Sequence, residues 1–418
     1  MIERLSNNLV LRSLQNENDA DRYAAFNSKY NNPFEGATCA CLLQHHPGTT
    51  YEDYWIVEDE KSGEIVSSTC LIPWTGRYGG VEIRIAQLEN VLTHPAYRGQ
   101  GLVRRQIQQF EQAASERGCD LNIIWGISFF YRQFGYGYGL HGEVSELLRS
   151  NQIPELPAGQ RLPVSLRRAA EADIPHIADF YERSTKRLDL HVTRDPAYWK
   201  YLLNDALYPL EILTQPETGR LLGYAAIARS PGRVSILEGE VEDGLAALAF
   251  LAALKTQTPE ICLAWPEHNT LTEVGRSLGS QLQPDYQWLL RLPDPAAFLI
   301  KIRPVLESRL AASAWGGLTL DFILNFFRQA FKLRFEAGRL VEVVPLGFLD
   351  SSMGADGGHL LIPPDAFLRL VFGFRSLDEL RDAWPDILIK PEARHLVEVL
   401  FPRMESYLHT PYHYLGPI

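Results

Sequence analysis

The stretch that most constrains the fold of this chain is residues 81–139, which read as a strand, a glycine-containing turn, an amphipathic helix, a second strand and an aromatic turn. The apolar positions of the first strand change face along its length, from Val81, Ile83 and Ile85 to Ala86 and Leu88. Because successive side chains of a strand point to opposite faces, this change of parity predicts a β-bulge. Bulged strands that lead into a glycine turn often border a ligand.

The turn itself is Arg98-Gly99-Gln100-Gly101, and the residues after it predict a helix with its apolar face at Val103, Ile107, Phe110 and Ala114. Glycines at the start of a helix let the backbone approach a ligand. The free N–H groups there, helped by the helix dipole, bind phosphate oxygens. The turn therefore suits a pyrophosphate, although an ordinary strand-to-helix connection can carry the same glycines.

Two motifs in this stretch resemble a known enzyme family. Arg98-Gly99-Gln100-Gly101-Leu102 resembles the acetyl-CoA signature of the GNAT acyltransferases, although Val103 stands where that signature usually has Gly or Ala. The run Phe130-Tyr131-Arg132-Gln133-Phe134-Gly135-Tyr136-Gly137 is more specific. Together with Pro95 and the turn, it resembles the enhanced-intracellular-survival (Eis) acetyltransferases.

The resemblance implies acetyl-CoA as the co-substrate. The pyrophosphate is expected on Arg98 and on the backbone N–H groups of Gly99, Gln100, Gly101, Leu102 and Val103. Arg104 is a candidate to assist with a phosphate, or is simply solvated. The backbone of Val91, Leu92 and Thr93 is expected to pair with the pantetheine arm as an added strand would.

Acetylation of an amine needs a base for the attacking amine and an acid for the leaving thiolate. Tyr131 occupies the position at which the Eis family places its general acid; the alternative is that its ring only packs against neighbouring phenylalanines. Glu89 lies near where many GNAT enzymes keep a general base, and its alternative role is a strand-edge carboxylate in solvent.

Eis-type enzymes instead attribute the base to a terminal carboxylate, which here would be that of Ile418. The tail, residues 407–418, is aromatic and rich in proline, which predicts a docked segment rather than a frayed end. His409 and His413 are further candidate bases, because the pKa of histidine lies near neutrality, but a histidine beside tyrosines is more often structural.

Composition narrows the classes of partner. A formal net charge of −11 disfavours nucleic acid and anionic membranes and suits a cationic substrate, although a solvated acidic surface explains the same value. We find no signal-peptide core and no apolar run of about eighteen residues, and therefore expect a cytoplasmic protein without a membrane span. The five scattered cysteines imply no disulfide framework.

No metal is expected. Cysteines and histidines do cluster early in the chain, at Cys39, Cys41, His45 and His46. A zinc site would need a second ligand pair at a standard spacing, which the sequence does not provide. Small buried thiols near surface histidines explain the same residues.

Three regions are predicted: residues 1–150, 160–293 and 294–418, with a proline-bearing linker at 151–159. The second region repeats the opening of the first, but its Leu237–Leu245 segment lacks the arginine and paired glycines, and its acids would repel phosphate. The third resembles the sterol-carrier-protein-like domain that closes Eis proteins, and a single helix is predicted there through residues 298–306. The expected fold class is α/β (α+β), with two tandem GNAT-like mixed-sheet domains and then this domain.

The leading hypothesis is an acetyl-CoA-dependent N-acetyltransferase of Eis type that acts by direct attack of a small cationic amine, such as an aminoglycoside or polyamine. Two alternatives stay open: a protein or peptide lysine acetyltransferase, and a non-catalytic protein that binds an apolar ligand and has a decayed acyltransferase site. The resemblance also implies a homo-oligomer, with a hexamer as the state that the family suggests.

Overall fold

The computed structural model describes residues 2–143, 145–155, 162–204, 209–264, 269–283, 286–350 and 357–410. The first region contains strands β1 (Ile2–Arg4), β2 (Leu9–Ser13), β3 (Tyr54–Asp59), β4 (Glu64–Tyr78), β5 (Val81–Thr93), β6 (Leu121–Ile124) and β7 (Gly137–Glu143). Its helices are α1 (Glu17–Tyr30), α2 (Pro33–His45) and α3 (Leu102–Glu116).

Strand β8 (Glu146–Arg149) ends the first region. The second region contains strands β9 (Ser165–Arg168), β10 (Leu190–Val192), β11 (Leu210–Thr214), β12 (Leu221–Ser230), β13 (Arg233–Val241), β14 (Glu260–Leu263), β15 (Gln281–Leu282) and β16 (Tyr286–Arg291). Its helices are α4 (Ile174–Thr185), α5 (Pro196–Asn204), α6 (Gly244–Lys255) and α7 (Thr270–Ser277).

The third region contains strands β17 (Leu320–Asn325), β18 (Ala330–Glu336), β19 (Arg339–Gly347), β20 (Leu360–Leu361), β21 (Leu388–Ile389) and β22 (Ser406–Tyr407). Its helices are α8 (Pro295–Lys301), α9 (Arg303–Ala311), α10 (Pro364–Val371), α11 (Leu377–Ala383) and α12 (Arg394–Leu400). No helix of the described residues has both the length and the apolar character needed to cross a bilayer.

These strands form three mixed sheets, which agrees with the predicted α/β class. The first has the order β1-β2-β3-β4-β5-β6-β16-β7, and the second has the order β15-β8-β14-β13-β12-β11-β9. The third has the order β19-β18-β17-β20-β21. Both of the larger sheets contain a parallel pair joined through a helix, β5-α3-β6 in the first and β13-α6-β14 in the second.

Sheet membership crosses the region boundaries that the sequence suggested. Strand β16 lies between β6 and β7 of the first sheet, and β8 belongs to the second sheet. Strand β10 pairs with β4, and β22 near the end of the chain pairs with β10. The three regions are therefore joined by shared strands as well as by side-chain packing.

Helix α3 packs on the first sheet through the face that the sequence predicted. Ile107, Phe110 and Ala114 are buried against Ala86 and Leu88 of β5. On the other face of β5, Ile83 and Ile85 pack in a separate core. Both faces of β5 are buried from Ile85 to Glu89, and this explains why the apolar parity changes there.

The β-bulge of β5 lies further along the strand than the parity change indicated. The pairing of β4 with β5 is regular through Ala86 and shifts only between Ser68 and Cys70, opposite Glu89 and Leu92. Burial of both faces, not an extra residue, produced the sequence pattern.

The third region also corrects a predicted helix. The single helix expected through residues 298–306 is two helices, α8 and α9, which meet at Ile302. Pro304 stands in the first turn of α9, where its missing N–H costs nothing, but it cannot continue a helix from before.

Candidate active site

The first sheet opens next to the glycine turn. Strands β5 and β6 are paired only at Ile85–Gln87, opposite Leu121–Ile123. Beyond Gln87 the β6-facing edge of β5 has no strand partner among the residues that the structure describes. Residues 88–93 of β5, which include Val91, Leu92 and Thr93, therefore present a backbone edge to which an extended ligand can add.

Hydroxyl groups on β4 hold the bulged part of β5. Ser67, Ser68 and Thr69 each donate a hydrogen bond to a β5 carbonyl oxygen, at 2.8, 2.9 and 3.1 Å. Asn90 in the bulge has a φ of 51°, and its Oδ1 accepts a hydrogen bond from the Tyr23 hydroxyl at 3.3 Å. These bonds replace ladder bonds that the bulge interrupts, so the opened strand keeps a fixed shape.

The turn after β5 needs both of its glycines for their backbone conformation. Gly99 and Gly101 have φ values of 78° and 76°, and a Cβ at either position would meet no atom within 4 Å. The glycines are therefore required by φ, and open space lies beside them. Arg98 is exposed, and its Nε donates to the Thr93 carbonyl oxygen at 3.4 Å, which holds the guanidinium beside the end of β5.

Helix α3 begins without a capping side chain. Gly101 is its N-cap residue and has no side chain, so the first N–H groups of the helix face the turn without a side-chain acceptor. Leu102 is buried, Val103 is half-buried and Arg104 is exposed. The Arg104 guanidinium donates to Gln133 Oε1 at 3.2 Å and lies 5.1 Å from the centre of the Phe134 ring, so it joins the helix to the aromatic turn.

Tyr131 is buried in the aromatic turn, with 5% of its surface exposed. Its ring stands edge-on to Phe130, with ring centres 5.0 Å apart, and lies so close to Gly126 that a Cβ there would be 2.1 Å from Tyr131 Cε2. Burial raises the pKa of the Tyr131 phenol, and the nearby Glu89 carboxylate raises it further. The phenol is therefore protonated at neutral pH and lies near Glu89.

Glu89 is buried, with 8% of its surface exposed, which excludes the solvated strand-edge role. Its Oε1 accepts a hydrogen bond from Gln87 Nε2 at 2.9 Å, and Gln87 Oε1 accepts one from Trp74 Nε1 at 2.7 Å. Because an indole N–H can only donate, it fixes the Gln87 amide with its NH₂ group towards Glu89. The carboxylate is thus oriented from one side by two side chains that the sequence did not single out.

The structure describes the tail of the chain as far as Thr410. Ile418 and His413 lie outside the described residues. Tyr407 and Leu408 are buried, in keeping with the predicted docking of this segment. His409 lies with its Nε2 2.8 Å from Glu238 Oε2, in the core of the molecule rather than beside Tyr131.

The cysteine and histidine cluster is explained by packing, although His46 is buried and not at the surface as the sequence suggested. The His46 ring makes edge-on contacts with Trp74, Tyr198 and Tyr201 at 5.3–5.8 Å. Within the described residues, no group of three or more His, Cys, Asp or Glu side chains is arranged to hold a metal ion.

Several residues that shape the site were missed by sequence reasoning. The consecutive hydroxyl side chains Ser67, Ser68 and Thr69, in the strand that pairs with β5, were a readable signal for a bulge that needs side-chain donors. Gln87 and Gly126 gave no signal, because their partners Trp74 and Tyr131 come near only in the folded chain.

Comparisons with known proteins show a domain match in sequence and a wider likeness in fold. Residues 14–139 match the family model described as an acetyltransferase (GNAT) domain. No curated protein matches the chain significantly.

Three solved structures share the fold over nearly the whole chain. A probable N-acyltransferase of unknown function from Enterococcus faecalis V583 has a TM-score of 0.71 and 15% identity, and covers 96% of this chain and 99% of its own. A GCN5-related N-acetyltransferase from Kribbella flavida has a TM-score of 0.65, 15% identity and coverages of 96% and 99%. Eis1 from Mycobacterium abscessus has a TM-score of 0.60, 15% identity and coverages of 95% and 98%.

The domain match defines the class of this protein. The chain carries a GNAT acetyltransferase domain, and we class it as an enzyme, an acetyltransferase. GNAT domains in general use acetyl-CoA, and the uncapped start of α3 and the open edge of β5 both lie within the matched residues.

Proposed function

We propose that the chain transfers an acetyl group from acetyl-CoA to an amine in the opening between β5 and β6. The observation that carries this proposal is a single continuous surface: the unpaired edge of β5 runs into the glycine turn and the uncapped start of α3. The pantetheine amides would pair with Val91, Leu92 and Thr93. The pyrophosphate would lie on Arg98 and on the N–H groups of residues 99–103, with Arg104 at its side.

In the proposed reaction the unprotonated amine attacks the thioester carbonyl carbon. An N–C bond forms, the C–S bond breaks, the amine loses one proton and the CoA thiolate gains one. Glu89 is proposed to accept the amine proton, and Tyr131 to donate its phenol proton to the sulfur. The raised pKa of Tyr131 keeps that proton in place until negative charge develops on the sulfur, where a hydrogen bond from the phenol stabilises it.

Removal of the phenol oxygen tests the role of Tyr131. We expect Tyr131→Phe to lower kcat by about 10²–10⁴-fold, the usual contribution of a positioned acid, with acetyl-CoA affinity unchanged. Tyr136→Phe is a matched control, because Tyr136 is equally buried and its ring centre lies 6.2 Å from that of Tyr131. Near-full turnover by Tyr131→Phe with saturating acetyl-CoA would remove Tyr131 from the mechanism.

The base is decided by two variants of the same chain. Glu89→Gln keeps the shape of the side chain and its place beside Gln87, and we expect it to lower kcat while acetyl-CoA still binds. Deletion of residues 416–418 removes the other candidate, the carboxylate of Ile418. The variant that loses the limb of the pH–rate profile on the acidic side, where the base becomes protonated, identifies the base, and full activity in both would exclude both groups.

We further propose a small cationic amine as the acceptor, which the net charge of −11 favours. A panel of polyamines and aminoglycosides, measured beside lysine-containing peptides, tests this preference. Higher kcat/KM for the peptides would make the chain a protein or peptide acetyltransferase.

We also propose that residues 294–418 form a sterol-carrier-protein-like domain. We propose in addition that the chain is a homo-oligomer, and light scattering would measure the mass of the assembly.

A further inference from the structure

A second cavity lies away from Tyr131, at a gap in the first sheet. Strand β4 pairs with β3 as far as Cys70 and with β10 from Gly76 onward, so residues 71–75 have no strand neighbour on that side among the described residues. Pro73 is at the middle of this gap, where its missing N–H leaves no ladder bond unmade. The cavity opens here, with a volume of about 540 Å³, between the first sheet and helix α5.

His46 lines this cavity with a proton that has no acceptor. Its Nδ1 accepts a hydrogen bond from the Gly48 N–H at 3.2 Å, so Nδ1 is unprotonated and the ring proton is on Nε2. Burial lowers the pKa of His46 to about 4, so the ring is neutral in this tautomer at physiological pH. The Nε2 atom is buried and has no hydrogen-bond partner among the described residues.

Two further buried donors line the same cavity. The Tyr198 ring packs edge-on against Trp74, with ring centres 5.2 Å apart, and its hydroxyl has no partner in the described part of the chain. The Arg194 side chain is fully buried, and its two terminal nitrogens donate to Glu238 at 2.7 and 2.6 Å. Its third nitrogen, Nε, is also without a described partner.

Three buried, unpaired donors on residues that line one cavity are unlike the usual protein interior, where buried polar groups are satisfied. Each carries a hydrogen and needs an acceptor, so the shared requirement is a ligand with acceptor oxygens. Arg84 and Arg117 also line the cavity and add positive charge, while the Asp195 carboxylate already caps α5 by accepting from the Tyr198 N–H at 2.7 Å. The lining therefore suits a compact oxyanion better than a cation.

We propose that this cavity is a binding site for a small oxyanion, a carboxylate or a phosphate, held by His46 Nε2, the Tyr198 hydroxyl and Arg194 Nε. The site is separate from the proposed acetyl-CoA site. It touches that site through Trp74, which lines the cavity and donates to Gln87 beside Glu89.

The test is calorimetric titration of the full chain with inorganic phosphate and, separately, with malonate. The titrations use an Arg98→Ala background, so that binding at the α3 turn does not contribute. We expect at least one probe to bind saturably, and Tyr198→Phe in that background to weaken binding at least 10-fold. Tyr201→Phe is the matched control, because its hydroxyl accepts from the Cys41 thiol and does not line the cavity, and we expect less than a 2-fold change.

The two probes distinguish the possible sources of the oxygens, since tighter binding of malonate indicates a carboxylate ligand and tighter binding of phosphate a phosphorylated one. Absence of saturable binding by either probe up to about 10 mM, or binding that Tyr198→Phe leaves unchanged, would overturn the proposal and leave water as the partner of these donors. Acetyl-CoA affinity, measured on Tyr198→Phe with Arg98 intact, should equal that of the wild type. Failure of the oxyanion site is therefore distinguishable from failure of the acetyl-CoA site.

Discussion

The two parallel strand–helix–strand units have similar topology but differ at the start of the helix. In the first unit α3 begins at Gly101 without a capping side chain, and the edge of β5 beyond Gln87 is open. In the second, the Asp243 carboxylate caps α6 by accepting from the Ala246 N–H at 2.9 Å. The Asn269 side chain, which follows β14, donates to the Gly239 carbonyl oxygen of β13 at 2.6 Å.

Equivalent glutamates show the same contrast. Glu89 lies two residues beyond Gln87, the last residue of β5 paired with β6, and Glu238 lies two residues beyond Ile236, the last of β13 paired with β14. Glu89 is held by Gln87 beside Tyr131, whereas Glu238 is locked by Arg194. The same topology thus provides a candidate reaction site in the first sheet and a buried ion pair in the second.

The largest expected effect comes from breaking the buried ion pair between Arg194 and Glu238. Glu238→Gln leaves the buried Arg194 guanidinium without its charged partner, and we expect the free energy of unfolding at pH 7 to fall by about 3–5 kcal/mol. Urea denaturation followed by circular dichroism measures this loss. Glu242→Gln is the control, since its partner Arg220 is exposed and such pairs contribute about 0–1 kcal/mol. A loss no larger than that of the control would show that the buried pair is not needed for stability.

Glu238 should also affect how the free energy of unfolding depends on pH. Burial by itself would raise the pKa of Glu238, but Arg194 and His409 lower it below its usual value. The folded state therefore keeps the carboxylate ionised at a pH where the unfolded chain is protonated. Its contribution is complete above the unfolded pKa of about 4.3 and is lost as pH falls through the folded pKa. Below pH 4.3 the stability gap between wild type and Glu238→Gln should narrow, and a constant gap would contradict this assignment.

An acidic N-cap like that of α6, placed at the start of α3, should weaken acetyl-CoA binding. Gly101→Asp places a carboxylate where the pyrophosphate is proposed to bind, and we expect acetyl-CoA affinity to fall at least 100-fold, about 2.8 kcal/mol. Calorimetry measures the affinity. Gly219→Asp is the control for backbone strain, because Gly219 also has a positive φ, 69°, and open space around it. Equal affinities for wild type and Gly101→Asp would place the nucleotide elsewhere.

The position of Tyr131 should be sensitive to a single methyl group. Gly126→Ala introduces a Cβ 2.1 Å from the Tyr131 ring, so the ring must move, and displacements of about 1 Å can cost about 100-fold in rate. We expect kcat to fall by about 10- to 100-fold while acetyl-CoA affinity changes little. Gly244→Ala, at the first position of α6, is the control because its Cβ meets nothing closer than 3.7 Å. An unchanged kcat would mean that the ring position does not matter to the reaction.

The sequence predicted the parts of this contrast that are local. The Arg98–Leu102 turn, the buried face of α3 and the burial of Tyr131 all follow from nearby residues. The acidic segment after Ile236 predicts that the second unit does not hold phosphate, which stays a prediction; one of its acids, Asp243, caps α6. Local signals of this kind are readable because helix caps and glycine turns depend on a few consecutive residues.

What the sequence could not predict depends on contacts between distant residues. The insertion of β16 between β6 and β7 has no local signal, since a short apolar strand such as Trp288-Leu289-Leu290 fits many sheets. The same holds for the pairing of Glu238 with Arg194, and of Gln87 with Trp74. Because both faces of β5 are buried near Ile85, the sequence pattern predicted a bulge there, whereas the actual bulge lies near Asn90.

The smallest expected effect comes from the reverse substitution, Asp243→Gly. It removes the cap of α6 and gives the second junction a glycine at the N-cap, as in the first, and we expect it to cost only a few tenths of a kcal/mol. No second molecule of acetyl-CoA should bind, because the Asn269 side chain still occupies the edge of β13 at Gly239. Calorimetric stoichiometry measures this, with one site per chain expected in wild type and variant alike. A second site in Asp243→Gly would mean that the cap of α6 alone prevents acetyl-CoA from binding to the second unit. Its absence would mean that an uncapped helix start is not sufficient and that an open strand edge is needed as well.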